Sequence, residues 1–505
     1  MTSSAKIVRP ASANAAAPIR FDNTYARLPE AFYQRVKPAT AAAPSLLRVN
    51  DALARRLRID PQFLKSPAGV AVLSGNVIAP GSEPIAQAYA GHQFGDFVPQ
   101  LGDGRAILLG EVVDVAGKRY DLQLKGSGRT RFSRGGDGRA ALGPVIREYI
   151  VSEAMAALGI PTTRSLAAVL TGENVMRERM LPGGVLTRVA SSHLRVGTFQ
   201  YFAARGDVEN LRILADYAIE RHYPDARSAE DPYRAFYDAV VAALARLAAR
   251  WMLIGFIHGV LNTDNTAIAG ETIDYGPCAF MDAYHPDKVF SSIDQFGRYA
   301  FANQPAVIKW NLTRFAETLL PLMADGADKA IEAANASIKL FNAHYNEAYL
   351  AGLRQKLGLA SEMEGDLELA SGLLASMAEN HADFTLTFRA LCEAAADTKG
   401  NAGVRTLFAN PSVFDEWAAR WRERLLLEER PAEARRTAML AANPMFIPRN
   451  HRIEAAIQDA EAGHFDKFHE LVEVLAYPYD DQPQFADYGK PPAPGEEIQQ
   501  TFCGT

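Results

Sequence analysis

Apolar positions recur with two different periods along this chain, and the balance shifts near residue 208. Ile107-Leu-Leu-Gly-Glu-Val-Val113 is a short apolar run, and Tyr120-Asp-Leu-Gln-Leu-Lys125 alternates polar with apolar residues. Ala116-Gly117 lies between them, so the pair reads as a hairpin of two strands. Over Pro144–Leu158 the spacing lengthens. Val145, Ile146, Tyr149, Ile150 and Met155 fall at helical intervals, and Gly159 followed by Pro161 supplies a stop. From about 208 onward helical patterns dominate, at Leu211–Arg221, Tyr233–Phe256, Asn303–Leu320 and Lys329–Leu353.

Before the hairpin the chain is mixed, with an amphipathic segment at Ser45–Leu57 and a Gly/Pro-rich stretch through Gly81 and Pro84. The tail from Pro478 is rich in Pro, Gly, Asp and Gln and predicts a loosely ordered wrap. The expected class is therefore α+β, a small β-rich part preceding a larger helical one. The expected divisions are a disordered tail over 1–20, a β-rich region over 21–200, a helical region over 201–330 and a helical extension over 331–505.

Composition narrows the class of function. At 505 residues with 48% hydrophobic and 22% charged content, the chain is ordinary for a large globular protein. A net charge of −6 supplies no global field for nucleic acid, so no nucleic-acid partner is expected. No apolar run approaches the roughly 18 residues of a membrane span, and no membrane partner is expected either. Cys278, Cys392 and Cys503 are too few for a disulfide framework and match no zinc spacing. The Ala/Ser-rich start, with Lys6, Arg9 and Arg20 before its first acid at Asp22, has the composition of a transit peptide. A plain bacterial tail is the simpler reading, giving a cytoplasmic protein, or a mitochondrial one in a eukaryote.

The chemistry concentrates in a few strings. Gln100-Leu-Gly-Asp-Gly-Arg105 precedes a strand and can present backbone N–H groups to phosphate, although a surface turn has the same composition. Lys125 shares one strand face with Asp121 and Gln123, and Glu148 on the following helix could pair with it. Glu153 is the fallback partner. Arg131-Phe-Ser-Arg-Gly-Gly-Asp-Gly-Arg139 packs three arginines and three glycines around Asp137, a composition suited to an anion-binding nest. Arg188 and Arg195 are seven apart, which on a helix would put them on one face.

The loop His258-Gly-Val-Leu-Asn-Thr-Asp-Asn265, followed by Asp274-Tyr-Gly276, is the most specific feature. A protein-kinase catalytic loop runs His-x-Asp-x-x-x-x-Asn and is followed by Asp-Phe-Gly. Asn265 and Asp274 then supply the oxygen ligands that Mg²⁺ takes alongside phosphates. Val260 occupies the place of the catalytic Asp and cannot accept a proton. Either the site is inert, or Asp264, the loop's one carboxylate, serves as the base. His258 reads as a structural, hydrogen-bonded residue.

Taken together, these strings resemble the selenoprotein O (YdiU) family of kinase-like protein adenylyltransferases. Tyr89-Ala-Gly-His-Gln-Phe-Gly95, Gly159-Ile-Pro-Thr-Thr-Arg164 and Asn443-Pro-Met-Phe-Ile-Pro-Arg-Asn450 extend the resemblance over nearly the whole chain. It implies a protein-kinase-like two-lobed fold with a helical C-terminal extension. It also implies transfer of AMP from ATP to Ser, Thr or Tyr hydroxyls of proteins, the enzyme itself included, with UMP transfer in the presence of Mn²⁺. Gly102, Gly104, Arg105, Lys125, Asp137, Gly138, Arg188, Arg195 and Asp274 would bind the nucleotide. Glu148 would pair with Lys125, Asp264 would be the base, and Asn265 and Asp274 would hold Mg²⁺ or Mn²⁺. The family pairs a C-terminal Sec or Cys with a cysteine after the Asp-Tyr-Gly loop in some members. Cys503 fits the first position, but Tyr284–Ser292 contains no second cysteine.

Overall fold

The computed structural model describes residues 17–502. Most of the expected 1–20 tail, and Cys503, lie outside that range, whereas Ile19 is buried against one face of the sheet. The fold is mixed α+β, one antiparallel sheet with many helices.

The sheet orders its strands Tyr33–Arg35, Ile85–Gln87, Ala106–Val113, Arg119–Lys125, Met180–Ala190, Arg164–Met176 and Ser45–Val49. Ala140–Ala141 adds a short eighth strand beside Met180–Ala190. The hairpin expected from the alternating pattern is present, with Ala106 opposite Lys125 and Val113 opposite Arg119. Alternation sends Leu122 and Leu124 to the apolar side and leaves Asp121, Gln123 and Lys125 on the other. Leu53, Leu64, Val72, Leu122, Val169 and Val189 form the core of that apolar side.

The segment Ser45–Leu57 divides into two elements. Ser45–Val49 joins the sheet edge and Asp51–Arg56 is a helix. Asn50 makes the break, because its side chain caps the helix by accepting from Leu53 N at 3.0 Å. The helix expected over Pro144–Leu158 runs Leu142–Ala157. It packs against the strands Arg164–Met176 and Met180–Ala190 on one side and the helices Asn450–Glu461 and Asp466–Leu475 on another. That double packing fixes the position of Glu148.

The later helices run Val208–His222, Pro232–Leu253, Gln304–Met323 and Ala327–Leu357. Their apolar stripes merge with the inner face of the sheet into one core. A second core, centred on Leu373, Phe388, Trp417 and Trp421, holds the C-terminal helices together. The tail after Pro478 has little regular structure but is tied down. Thr501 N donates to Phe290 O at 2.7 Å, and Ser292 N donates to Thr501 O at 3.0 Å. Among the described residues no helix is long and apolar enough to cross a membrane.

Candidate active site

Four elements deliver charged side chains to one place. Lys125 ends a strand, Glu148 projects from the helix packed beneath the sheet, Arg188 lies on Met180–Ala190, and Asp274 opens the Asp-Tyr-Gly turn. Lys125 Nζ lies 2.5 Å from Glu148 Oε2 and 3.2 Å from Asp274 Oδ1. Arg188 Nη2 lies 2.6 Å from Glu148 Oε1 and 2.5 Å from Asp274 Oδ1. Glu148 is thus the partner of Lys125. Glu153 instead pairs with Arg164 at 2.6 Å and accepts from Asn50.

The two arginines do not share a helix. Arg188 is a strand residue opposite Gln123, and Arg195 begins the Val196–Ala203 helix. They converge because the chain turns between them. Arg195 Nη2 lies 3.8 Å from Asp274 Oδ2, and its Nη1 lies 3.7 Å from Asp103 Oδ1. Its guanidinium also sits over the Tyr89 ring, 4.4 Å from the centroid.

Burial sets the electrostatics of this cluster. Burial alone would raise the Asp274 carboxyl, but Arg188, Lys125 and Arg195 more than offset it and hold the group well below the usual range. Glu148 is lowered in the same way by Arg188 and Lys125 against its own desolvation. Asp274 has φ +65°, a left-handed conformation uncommon outside glycine, and this turn aims the carboxylate at the cations.

Asp103 lies between Gly102 and Gly104 and is buried. It accepts from Gln87 N at 3.0 Å and Gln123 Nε2 at 3.2 Å, and burial raises its carboxyl. Gly102 has φ +113°, and a Cβ there would enter the Phe132 ring, so the tight turn requires glycine. Gly126 N donates to Arg105 O at 2.7 Å, joining the Gly102–Arg105 turn to the end of the Lys125 strand.

The catalytic-loop residues are equally buried. His258 Nε2 faces Ile273 O at 2.9 Å, and burial lowers its imidazole, which suits a neutral structural role. Asp264 is reached from above by the hairpin 91–98, where Gln93 Nε2 donates to Asp264 Oδ2 at 3.1 Å. Its Oδ1 has no hydrogen-bond partner. Burial pushes the Asp264 carboxyl up to about 6, with the Gln93 bond pulling the other way. A carboxylate with that affinity is matched to accepting a proton near neutrality.

Asn265 donates Nδ2–H to Val260 O at 2.9 Å, which leaves its amide oxygen as the group able to face a cation. Among the described residues no group of three or more His, Cys, Asp or Glu could hold a metal by itself. One amide oxygen and one carboxylate suit a hard cation that takes its remaining ligands from phosphates.

In the Arg131–Arg139 segment several groups already have partners within the protein. Asp137 pairs with Arg177 at 2.8 Å, Arg139 donates to Thr40 O at 2.8 Å, and Gly138 O accepts from Gly128 N at 3.0 Å. The loop closes on itself and on the rim of the sheet, because its carboxylate and last arginine find partners there. Sequence reasoning named no role for Tyr89, Gln93, Asp103 or Gln123. The signal available for Asp103 was an acid between two glycines, and Gln123 sat on the Lys125 face. Of the cysteines, Cys278 and Cys392 are buried free thiols, and burial pushes Cys278 up to about 12.

The family model for protein adenylyltransferase SelO matches residues 16–476. The chain is 91% identical over 505 residues to a protein nucleotidyltransferase YdiU of Nitrobacter hamburgensis, covering 100% of both. It is 81% identical over 493 residues to the Nitrobacter winogradskyi protein of that name, covering 98% of both. A third such protein, from Bradyrhizobium diazoefficiens, is 60% identical over 486 residues, covering 96% of this chain and 99% of its own. The chain belongs to the SelO family of protein adenylyltransferases.

Proposed function

We propose that this protein transfers AMP from ATP to Ser, Thr or Tyr hydroxyls of proteins, itself included, on a kinase-like two-lobed scaffold. The observation that carries the reading is the convergence of Lys125, Arg188 and Arg195 on the carboxylate of Asp274. Three cations, held in place by Glu148 and Asp103 as well as by Asp274, are gathered at one point. They suit a triphosphate whose departing pyrophosphate must be stabilised.

On this reading Asn265 and Asp274 hold Mg²⁺ or Mn²⁺, which neutralises phosphate charge when bound. Lys125 and Arg188, which both contact Asp274, would turn to phosphate oxygens if that carboxylate held a cation. Gly102, Gly104 and Arg105 line the nucleotide on one side, with Asp137 and Gly138 contributing from the loop beyond. The acceptor hydroxyl oxygen attacks the α-phosphorus, the bond to the β-phosphate bridging oxygen breaks, and pyrophosphate leaves. The hydroxyl proton passes to Asp264. The buried and unpartnered Oδ1 of Asp264 favours a catalytic role over a scaffold that only binds nucleotide.

ATP labelled separately at its α- and γ-phosphates tests the assignment. Label retained on protein from the α-position alone is expected. Retention from the γ-position alone would make the enzyme a phosphotransferase, and retention from neither would leave a nucleotide-binding scaffold.

A further inference from the structure

The hairpin 91–98 is fixed to the catalytic loop, through Gln93 to Asp264 and through His92 N to Thr263 Oγ1 at 2.6 Å. The ring of His92 also meets Trp310, edge-on at 5.3 Å. Phe97 packs against the His92 ring, 4.9 Å away, and remains exposed.

Trp310 is held between two guanidinium groups. Arg298 Cζ lies 4.7 Å from the ring centroid and Arg314 Cζ lies 5.3 Å from it. Arg314 is neutralised by Glu317 at 2.6 Å. Arg298 belongs to no ion pair among the described residues. Asp96, exposed on the same hairpin, pairs with neither arginine. The Nε of both Arg298 and Arg314 lacks a hydrogen-bond partner. Two residues before Arg298, Phe296 is 97% exposed. Tyr299, directly after Arg298, donates to Asn262 Oδ1 at 2.5 Å, so this segment too is anchored on the catalytic loop.

A cation that lacks a carboxylate, linked through Trp310 and His92 to exposed Phe97 and two residues from exposed Phe296, on segments anchored to the loop that carries Asp264, has the chemistry of a docking face. Resting on the transfer reading above, we propose that it receives the acceptor segment of the protein substrate, and that this segment places an acidic side chain on Arg298 close to its acceptor hydroxyl. The carboxylate supplies the missing partner, and apolar neighbours on the segment cover Phe97 and Phe296. The surplus charge of Arg298 selects an acidic partner over a neutral or basic one.

Matched peptides test this, each with one Ser acceptor flanked by Glu, by Gln or by Lys. The Glu peptide is expected to show a KM about three- to tenfold below that of the Gln peptide, with the Lys peptide poorest. Arg298→Ala should erase the difference while leaving KM for ATP and kcat on the Gln peptide unchanged, and Arg298→Lys should restore part of it. Equal KM values for Glu and Gln peptides, or a preference that survives Arg298→Ala, would overturn the proposal. Binding is read separately from transfer by acrylamide quenching of tryptophan emission. Trp251, Trp417 and Trp421 are buried, so quenching reports chiefly on Trp310. Protection by the Glu peptide without AMP incorporation would support the docking face and refute the transfer reading. Incorporation with no acidic preference would do the reverse.

Discussion

Asp264 and Asp274 are ten residues apart and lie in opposite electrostatic settings. Asp274 is surrounded by cations and stays ionised, whereas Asp264 is buried beside a neutral glutamine. On the proposed reading this separation suits one to holding a metal and the other to accepting a proton. Asp274→Ala is expected to abolish transfer at ordinary Mg²⁺ concentrations, checked by incorporation of α-labelled ATP; full activity would misplace the metal. Asp264→Asn should leave ATP binding intact and slow transfer by roughly 10² to 10⁴, measured by titration calorimetry beside single-turnover rates. Joint loss of binding and rate would make it a positioning residue.

A residue outside the site makes a separate prediction. Lys356 is buried under the rings of Phe384 and Phe388, and burial lowers its ammonium to about 7, with Cys392 opposing weakly. Its folded-state affinity for protons is therefore depressed from the usual 10.5. Below about pH 7 both states carry the charge and the burial cost is fully present. As pH rises from 7 to 10.5 the folded state binds fewer protons than the unfolded one, and stability increases. Lys356→Met should stabilise the protein by about 1–3 kcal/mol below pH 7, and by less as pH climbs. Urea unfolding at pH 6 and pH 9 checks the trend, and equal gains at both would contradict it.

At the scale of elements, the hairpin 91–98 is the part whose role was hardest to anticipate. Its strands are three residues each, too short for alternation to register. Its importance rests on contacts with a loop about 170 residues later. A Cβ at Gly91 would lie 2.6 Å from Asp264 Oδ1. Gly91→Ala is accordingly expected to lower kcat by tenfold or more while nucleotide affinity changes little; an unchanged kcat would detach the hairpin from the site. The strand Met180–Ala190 illustrates another limit. Spacing alone cannot tell whether Arg188 and Arg195 share a helix face, because the neighbour that decides it, the Arg119–Lys125 strand, lies over sixty residues upstream.

Across the whole molecule, long periodic stretches were legible because their pattern repeats over many turns. The helices from Val208 to Leu357 and the Ala106–Lys125 hairpin fell where hydrophobic spacing placed them. The site was legible where its chemistry is local, as in His258–Asn265, Asp274–Gly276 and the Lys125–Glu148 pair. Tyr89, Gln93 and Asp103 join the cluster only after folding brings distant segments together, and Asp137 and Arg139 were drawn to the sheet rim by partners invisible in their own string. Ile19, within the expected 1–20 tail, is buried against the sheet, and the expected 331–505 extension meets the body through the Asn450–Glu461 and Asp466–Leu475 helices, which brace the helix bearing Glu148.

On the proposed reading this cation-rich site transfers a nucleotide rather than a phosphate. Intact-mass analysis of the protein after incubation with ATP and Mg²⁺, beside assay of the released product, tests it most directly. An adduct with the mass of an AMP residue and pyrophosphate in solution are expected, and neither in Asp274→Ala. A phosphate adduct with ADP released would contradict it.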